Sequence, residues 1–305
     1  MTEGYQALTR AAAAIDLSDR TRIRLTGDDR ARLLHALTTN HIQRLLPGHG
    51  CYTFFLNAQG RILADANIFV FAEHILIDAE PELRQPLWDH LDHYIIADDV
   101  TLHDDGDATF CLGVEGPKAG ERLAELGAPT PSNDFEHEAW DDLTVGRATF
   151  TGGAGYRIFG PTDRKRFALD RLYLTSATEQ DAEVVRIEHG RPRYGGDITI
   201  ARLAAETGQT QALHFQKGCY LGQEIVERVR SRGHVNRHLV AIELDGETAP
   251  PAESKILVDG KEVGEMTSAA FSPHAHKVMA IGYVRVPHEK SGTVLEVAGS
   301  QGRIR

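Results

Sequence analysis

An α+β protein ending in a small all-β unit is the fold the sequence predicts, and three observations predict it. From Asp107 the pattern runs strand, helix, strand, strand, helix, an order that suggests a compact α+β unit of ferredoxin-like type. After Gly233 the texture changes to short strand-like runs, HLVAIEL, KILVDGKEVGEM, MAIGYVRV and TVLEV. Within them Asp259-Gly260 is a strong hairpin turn, because both residues tolerate positive φ. With 305 residues, 41% hydrophobic and 25% charged, the chain has the length for two or three domains and a sizeable core.

Residues 3–14 read as a short helix and RIRLTG (22–27) as a strand. DDRARLLHALTTN (28–40) puts Ala31, Leu34 and Leu37 on one face and reads as an amphipathic helix. CYTFFLN (51–57), the turn NAQG and RILADANIFVF (61–71) form a hairpin pattern, and HILIDAE (74–80) a further strand. PELRQPLWDHLDHYI (81–95) carries Leu83, Leu87 and Leu91 at helical spacing, with Pro81 near a helix start and Pro86 placed to kink or delay it. In the central unit ATFCLGVEG is a strand, PKAGERLAEL a helix, LTVGRATF and GYRIFG strands, and a helix starts at Asp163. EVVRIEHG (183–190) looks helical and RPRYGGDIT irregular. GQEIVERV starts another helix, for which Gly233 is a natural stop.

Composition excludes several classes. A net charge of −11 argues against a general nucleic-acid binder, and no direct nucleic-acid contact is expected. No apolar run reaches the roughly 18 residues of a membrane span, and MTEGYQALTRAAAAID lacks a signal peptide's apolar core, so a cytoplasmic protein is expected. Cys51, Cys111 and Cys219 are too few and too far apart for a disulfide scaffold or an all-cysteine cluster site built from one chain. The pairs His90/His93 and His274/His276 have no matching Cys or acid cluster, so no metal site is assigned. Walker, GxSxG and Rossmann patterns are absent, and TGGAGYR (151–157) lacks the strand-to-helix context of a phosphate loop.

Cys219, in HFQKGCYLGQEIVERV, is the sharpest candidate. Lys217 and a nearby helix start favour a thiolate, whereas a buried packing cysteine is the plain alternative. Arg228, Arg230, Arg232 and Arg237 form a basic cluster suited to a carboxylate or phosphate, or else a solvated face paired with Glu224 and Glu227. Asp65 lies in an apolar strand-like run, and Glu188 follows Arg186; alone, each reads by default as a plain surface acid or an ion-pair member.

Taken together, KGCYLGQE (217–224) with Arg228, Gly233 and Arg237–Leu239, and the stretches DLSDRTRIRLTGDDRARLLHALTTN, NAQGRILAD, RIEHGRPRYGGDI, GEMTSAAFSP and AIGYVR, resemble the YgfZ-type folate-binding proteins. These are relatives of the glycine cleavage T protein, an aminomethyltransferase. The resemblance implies a three-part ring: a folate-binding region over 1–235 with a ferredoxin-like part at about 107–180, and a C-terminal β-barrel over 236–305. It implies tetrahydrofolate as ligand, with Glu188, Asp65, Tyr194, Arg228 and Arg237 as contacts. Glu188 would take the pterin N–H edge, Asp65 would face the reactive nitrogens, and the arginines would meet the anionic tail. Cys219 would be a working thiol in the synthesis or repair of iron–sulfur proteins, including those that modify tRNA. Tetrahydrofolate-dependent one-carbon transfer is the alternative function. The segment ITIARLAAETG departs from the family pattern, with Glu206 as the counterpart of the family's glutamate there.

Overall fold

A computed structural model describes residues 1–233 and 235–305, apart from the side chain of Arg232, so the expected pairing of faces between Arg228 and Arg232 lies outside the described residues. Two sheets face each other and a closed barrel packs beside them.

The N-terminus forms α1 (Glu3–Arg10), capped by the Thr2 hydroxyl, then β1 (Ala13–Asp16). The helix expected over 3–14 therefore stops four residues early. Ala13 to Ile15 are fully covered between two strands, and that tertiary pairing outweighs alanine's helix propensity. Next come β2 (Thr21–Thr26), α2 (Arg30–Leu37), the hairpin β3 (His49–Leu56) and β4 (Ile62–Val70), and β5 (Ile75–Ala79). A 3₁₀ turn over Pro81–Leu83 delays α3 (Arg84–Tyr94), with Pro86 in its first turn, where no intrahelical N–H is lost. β6 (Thr101–Asp104), not expected from sequence, completes a five-stranded sheet in the order β3-β4-β5-β2-β6.

The central part contains β7 (Thr109–Glu115), α4 (Ala119–Glu125), β8 (His137–Trp140), β9 (Leu143–Gly146), β10 (Gly155–Pro161), α5 (Lys165–Leu172), β11 (Thr175–Ala177) and α6 (Glu179–Glu188). A capping box between Thr178 and Asp181 starts α6. The six-stranded sheet runs β11-β1-β7-β10-β9-β8 and so takes in β1 from the N-terminus. α7 (Gln223–Arg232) ends at Gly233, φ 69°. Then β12 (Arg237–Leu244), β13 (Lys255–Val258), β14 (Lys261–Ser272), β15 (Lys277–Arg285), β16 (Val294–Val297) and β17 (Ser300–Ile304) close the barrel. Asp259 and Gly260, at φ 51° and 73°, make the turn between β13 and β14.

Strand alternation decides where the chemistry can sit. One face of the five-stranded sheet, with Ile23, Leu25, Ala64, Ala66, Ile68 and Ile77, packs against α2 and α3. One face of the six-stranded sheet, with Phe110, Leu112, Val114, Tyr156 and Ile158, packs against α4 and α5. The opposite faces meet each other. Part of that layer is apolar, where Phe69 and Leu76 meet Cys111 and Phe159. Elsewhere it is charged, where Asp78 of β5 faces Arg157 of β10.

The barrel is tied to the rest through Asp197, which is fully buried. Its carboxylate accepts from Arg186 Nη1 (2.7 Å), from the Arg193 backbone N–H (3.0 Å) and from the hydroxyls of Thr267 and Ser268 on β14. Tyr283 on β15 donates its hydroxyl to the Asp197 carbonyl (3.0 Å). Removing one partner of a buried pair leaves the other charge uncompensated. Asp197→Ala is expected to cost about 3–5 kcal/mol. Chemical denaturation of variant and parent measures it.

Candidate functional site

The hairpin β3–β4 carries the first site. Asp65 on β4 lies opposite Phe54, and Tyr52 and Asn67 share its face one step along the strands. Asp65 is only 8% exposed and accepts a hydrogen bond from Tyr52 Oη to Oδ2 at 2.6 Å. Tyr52 is its one hydrogen-bond donor among the described residues, which leaves Oδ1 for a ligand. Burial raises the Asp65 carboxyl to about 6, opposed first by the Tyr52 hydrogen bond and then by Arg20 and Arg191, with the negative charge of Glu80 adding to the rise.

Around Asp65 lies a polar cleft, partly open to solvent, with a cavity volume of about 30 Å³. Five arginines line it: Arg20, Arg157, Arg186, Arg191 and Arg193. Arg20 is held by Asp78 (2.7 Å) and by Glu80. Arg193 bridges Glu80 (2.8 Å) and Glu82 (3.3 Å), and Arg186 pairs with Glu183 and Asp197. The Arg186–Asp197 pair also fixes the loop that delivers Arg191 and Arg193, since Arg186 Nη1 donates to the Arg191 carbonyl (2.7 Å).

The other residues expected at the site divide. Tyr194 is close, its hydroxyl donating to the carbonyl of Leu63 two residues before Asp65 (2.7 Å), and it stiffens β4 there. Glu188 does not join the cleft. At the end of α6 it accepts from Tyr5 Oη (2.5 Å) and lines a separate cavity of about 400 Å³ with Arg10, Gly153, His189 and His274. Asp65 and Glu188 thus line two separate cavities, with α6 turning its last side chain toward α1. Of the expected basic cluster, Arg228, Arg230 and Arg237 lie outside the lining of the Asp65 cleft, and Arg230 has the alternative pairing with Glu227. Arg228 is exposed on α7, Arg230 meets Glu227 (3.4 Å), and Arg237 is occupied by Glu206 (3.0 Å) at the foot of the barrel.

The KGCYLGQE segment forms the second site. Lys217 is buried, and its ammonium donates to the carbonyls of His35, Thr38 and Asn40 (2.6, 2.5 and 2.7 Å). It thus caps the C-terminal end of α2, where backbone carbonyls lack intrahelical partners. Burial pulls Lys217 down to about 7. The expected role of Lys217 as thiolate activator of Cys219 is corrected accordingly: its donors are spent on α2. The Leu221 N–H donates to Ala36 O (3.0 Å). Gly222 (φ 81°) lies so close to the β3–β4 turn that a Cβ would meet Asn57 O at 2.6 Å. These neighbours dock the loop against α2 and the hairpin and leave Cys219 exposed. Burial pushes the thiols of half-buried Cys51 and buried Cys111 up to about 12.

Comparison with known proteins agrees with this architecture. Residues 1–217 match the GCVT N-terminal domain and 237–305 the glycine cleavage T-protein C-terminal barrel domain. The chain belongs to this family. It is 27% identical to a putative chloroplastic transferase, At1g60990, of Arabidopsis thaliana, over 97% of this chain and 70% of that protein. It is 28% identical to an aminomethyltransferase of Streptomyces coelicolor, covering 95% of this chain and 83% of that one. The aminomethyltransferase T structure from Bartonella henselae superposes with a TM-score of 0.88 at 21% identity, covering 99% of this chain and 87% of that one, and so shares the fold. Among the described residues no helix is long and apolar enough to cross a membrane.

A testable pH dependence follows from Asp65. The folded chain binds this proton more tightly than the unfolded chain does, so the group opposes folding increasingly as pH rises from about 4 through about 6, and constantly above that. The penalty at neutral pH is on the order of 3 kcal/mol. Asp65→Asn, which keeps an acceptor for Tyr52, is expected to be more stable than the parent at pH 7.5, with the advantage shrinking toward pH 4. Paired urea titrations across that range measure it.

Proposed function

We propose that the chain is a YgfZ-type cytoplasmic protein that binds tetrahydrofolate at the Asp65 cleft. In this reading it serves as an accessory factor for the synthesis or repair of iron–sulfur proteins, with Cys219 as its working thiol. Its partners are reduced folate and iron–sulfur proteins or their assembly proteins. The observation that carries the reading is the arrangement of KGCYLGQE, in which Lys217, Leu221 and Gly222 are engaged in docking and the Cys219 thiol is left exposed to a partner.

The cleft residues fit a reduced folate in their chemistry. Asp65 Oδ1 can take a ligand N–H, Tyr52 holds the other oxygen in place, and burial keeps the acid's affinity for a proton near that needed at neutral pH. Bound tetrahydrofolate supplies nitrogens that carry a one-carbon unit. Asp65 holds or moves a proton beside them, and Tyr194 keeps its strand fixed. That same acid favours the second reading, tetrahydrofolate-dependent aminomethyl transfer, which needs Asp65 and no cysteine and agrees with the names of the similar aminomethyltransferases.

Three measurements test the proposal. In calorimetric titration with 5-formyltetrahydrofolate the parent binds and Asp65→Asn weakens binding about tenfold or more, as loss of a charge-assisted hydrogen bond implies. Glu188→Ala, on the other cavity, changes affinity less than about twofold. In a deletion strain, lowered activity of iron–sulfur enzymes is expected to be restored by the parent and not by Cys219→Ser. Full rescue by Cys219→Ser removes the thiol from the account, and formation of methylenetetrahydrofolate from an aminomethyl-lipoyl donor establishes the second reading.

A further inference from the structure

Two of the five arginines in the Asp65 cleft are not used up by the fold. Arg191 makes no side-chain hydrogen bond and no ion pair among the described residues. Its guanidinium stands 5.4 Å from the centroid of the Tyr52 ring, which orients it toward the same cleft. Arg157 is 1% exposed, yet its one hydrogen bond is a long one from Nη1 to Glu115 Oε1 (3.4 Å). Its Nε is buried without a partner, with Asp78 4.0 Å away.

The two acids nearest Arg157 are satisfied elsewhere. Asp78 accepts from Arg20 (2.7 Å) and Asn67 (2.8 Å). Glu115 accepts from the backbone N–H groups of Phe150 and Thr151 and from the hydroxyls of Thr149 and Thr151. A buried guanidinium with an orphaned donor is a costly arrangement unless something else accepts from it. Asp78 and Glu115 balance its charge but leave Nε without an acceptor.

Planar guanidinium forks match a carboxylate, whose oxygens take two N–H donors at once. The acids on the lining do not forbid an anion. Glu80 is held between Arg20 and Arg193, and Asp65 presents its Oδ1 to a proton or to a ligand N–H. We infer that this cleft holds a carboxylate subsite, with Arg191 and Arg157 as its donors. The inference rests on the reading that the Asp65 cleft is the ligand site, and it adds the chemical class of one end of the ligand. That carboxylate comes either from a separate small acid or from the glutamate of the folate itself.

Formate is the probe, titrated into the full chain while the arginine Nε–H signals are followed by NMR. Saturable shifts of Arg157 and Arg191 are expected, and Arg191→Gln is expected to weaken formate about tenfold while Arg191→Lys recovers part of the loss. Arg157→Gln is expected to do the same; should it not fold, the Arg157 signal of the parent and the Arg191 series decide. Repeating the titration with saturating 5-formyltetrahydrofolate separates the two sources: formate that still binds marks a separate acid, and formate that is displaced marks the folate's own carboxylate. No saturable shift up to about 50 mM formate, or equal affinity in Arg191→Gln, overturns the inference. If reduced folate does not bind the parent and formate still saturates at Arg191, the folate reading falls and the carboxylate subsite stands.

Discussion

The Arg186–Asp197 ion pair is the contact on which the rest of the arrangement depends. It is buried at the junction of α6, the 191–197 loop and the barrel, and its donors and acceptors between them reach all three. Such a pair contributes little net stability against an apolar replacement, but its geometry is demanding. Here it fixes where Arg191 and Arg193 enter the cleft and where the barrel sits on α6. Arg193 then holds Glu80, Glu80 shares Arg20 with Asp78, and Asp78 faces Arg157. The cleft at Asp65 is one end of this chain of charges.

That network also explains why a two-sheet layer can be charged at all. Each sheet has an ordinary apolar face covered by helices, which supplies a core, so the facing layer can accommodate polar groups. Burial with partial pairing then produces an acid raised to about 6 beside arginines with unspent donors. The thiol centre is built differently. Lys217 closes the end of α2 and the glycine at 222 permits close approach to the hairpin, so the loop is rigidly seated while Cys219 faces outward. Both centres rest on β3–β4, one on the inner face and the other at its turn.

Much of this was legible in the sequence, for reasons that vary by element. The α2 face with Leu34 and Leu37, the β3–β4 hairpin and the Asp259-Gly260 turn obey local periodicity and turn chemistry, and they form as expected. The Ala11–Ala14 run does not, because β1 is stabilised by neighbours far away in the chain. Asp65 stood out as an acid in an apolar strand. Its same-face neighbours Tyr52, Asn67 and Asp78 follow the same two-residue alternation, a signal that identifies a polar strand face inside an apolar sheet. Arg157, Arg191 and Asp197 left no such mark, since their importance comes from long-range pairing. Lys217 was misplaced for the opposite reason: proximity in sequence to Cys219 suggested a contact, while the side chain runs back into the end of α2.

The most direct measurement is a crystal structure of the chain with 5-formyltetrahydrofolate. The account predicts ligand in the cleft with a nitrogen within about 3 Å of Asp65 Oδ1, Tyr52 still bonded to Oδ2, and the Arg186–Asp197 pair unmoved. Ligand seated instead in the cavity beside Glu188, with the Asp65 cleft holding only water, contradicts it.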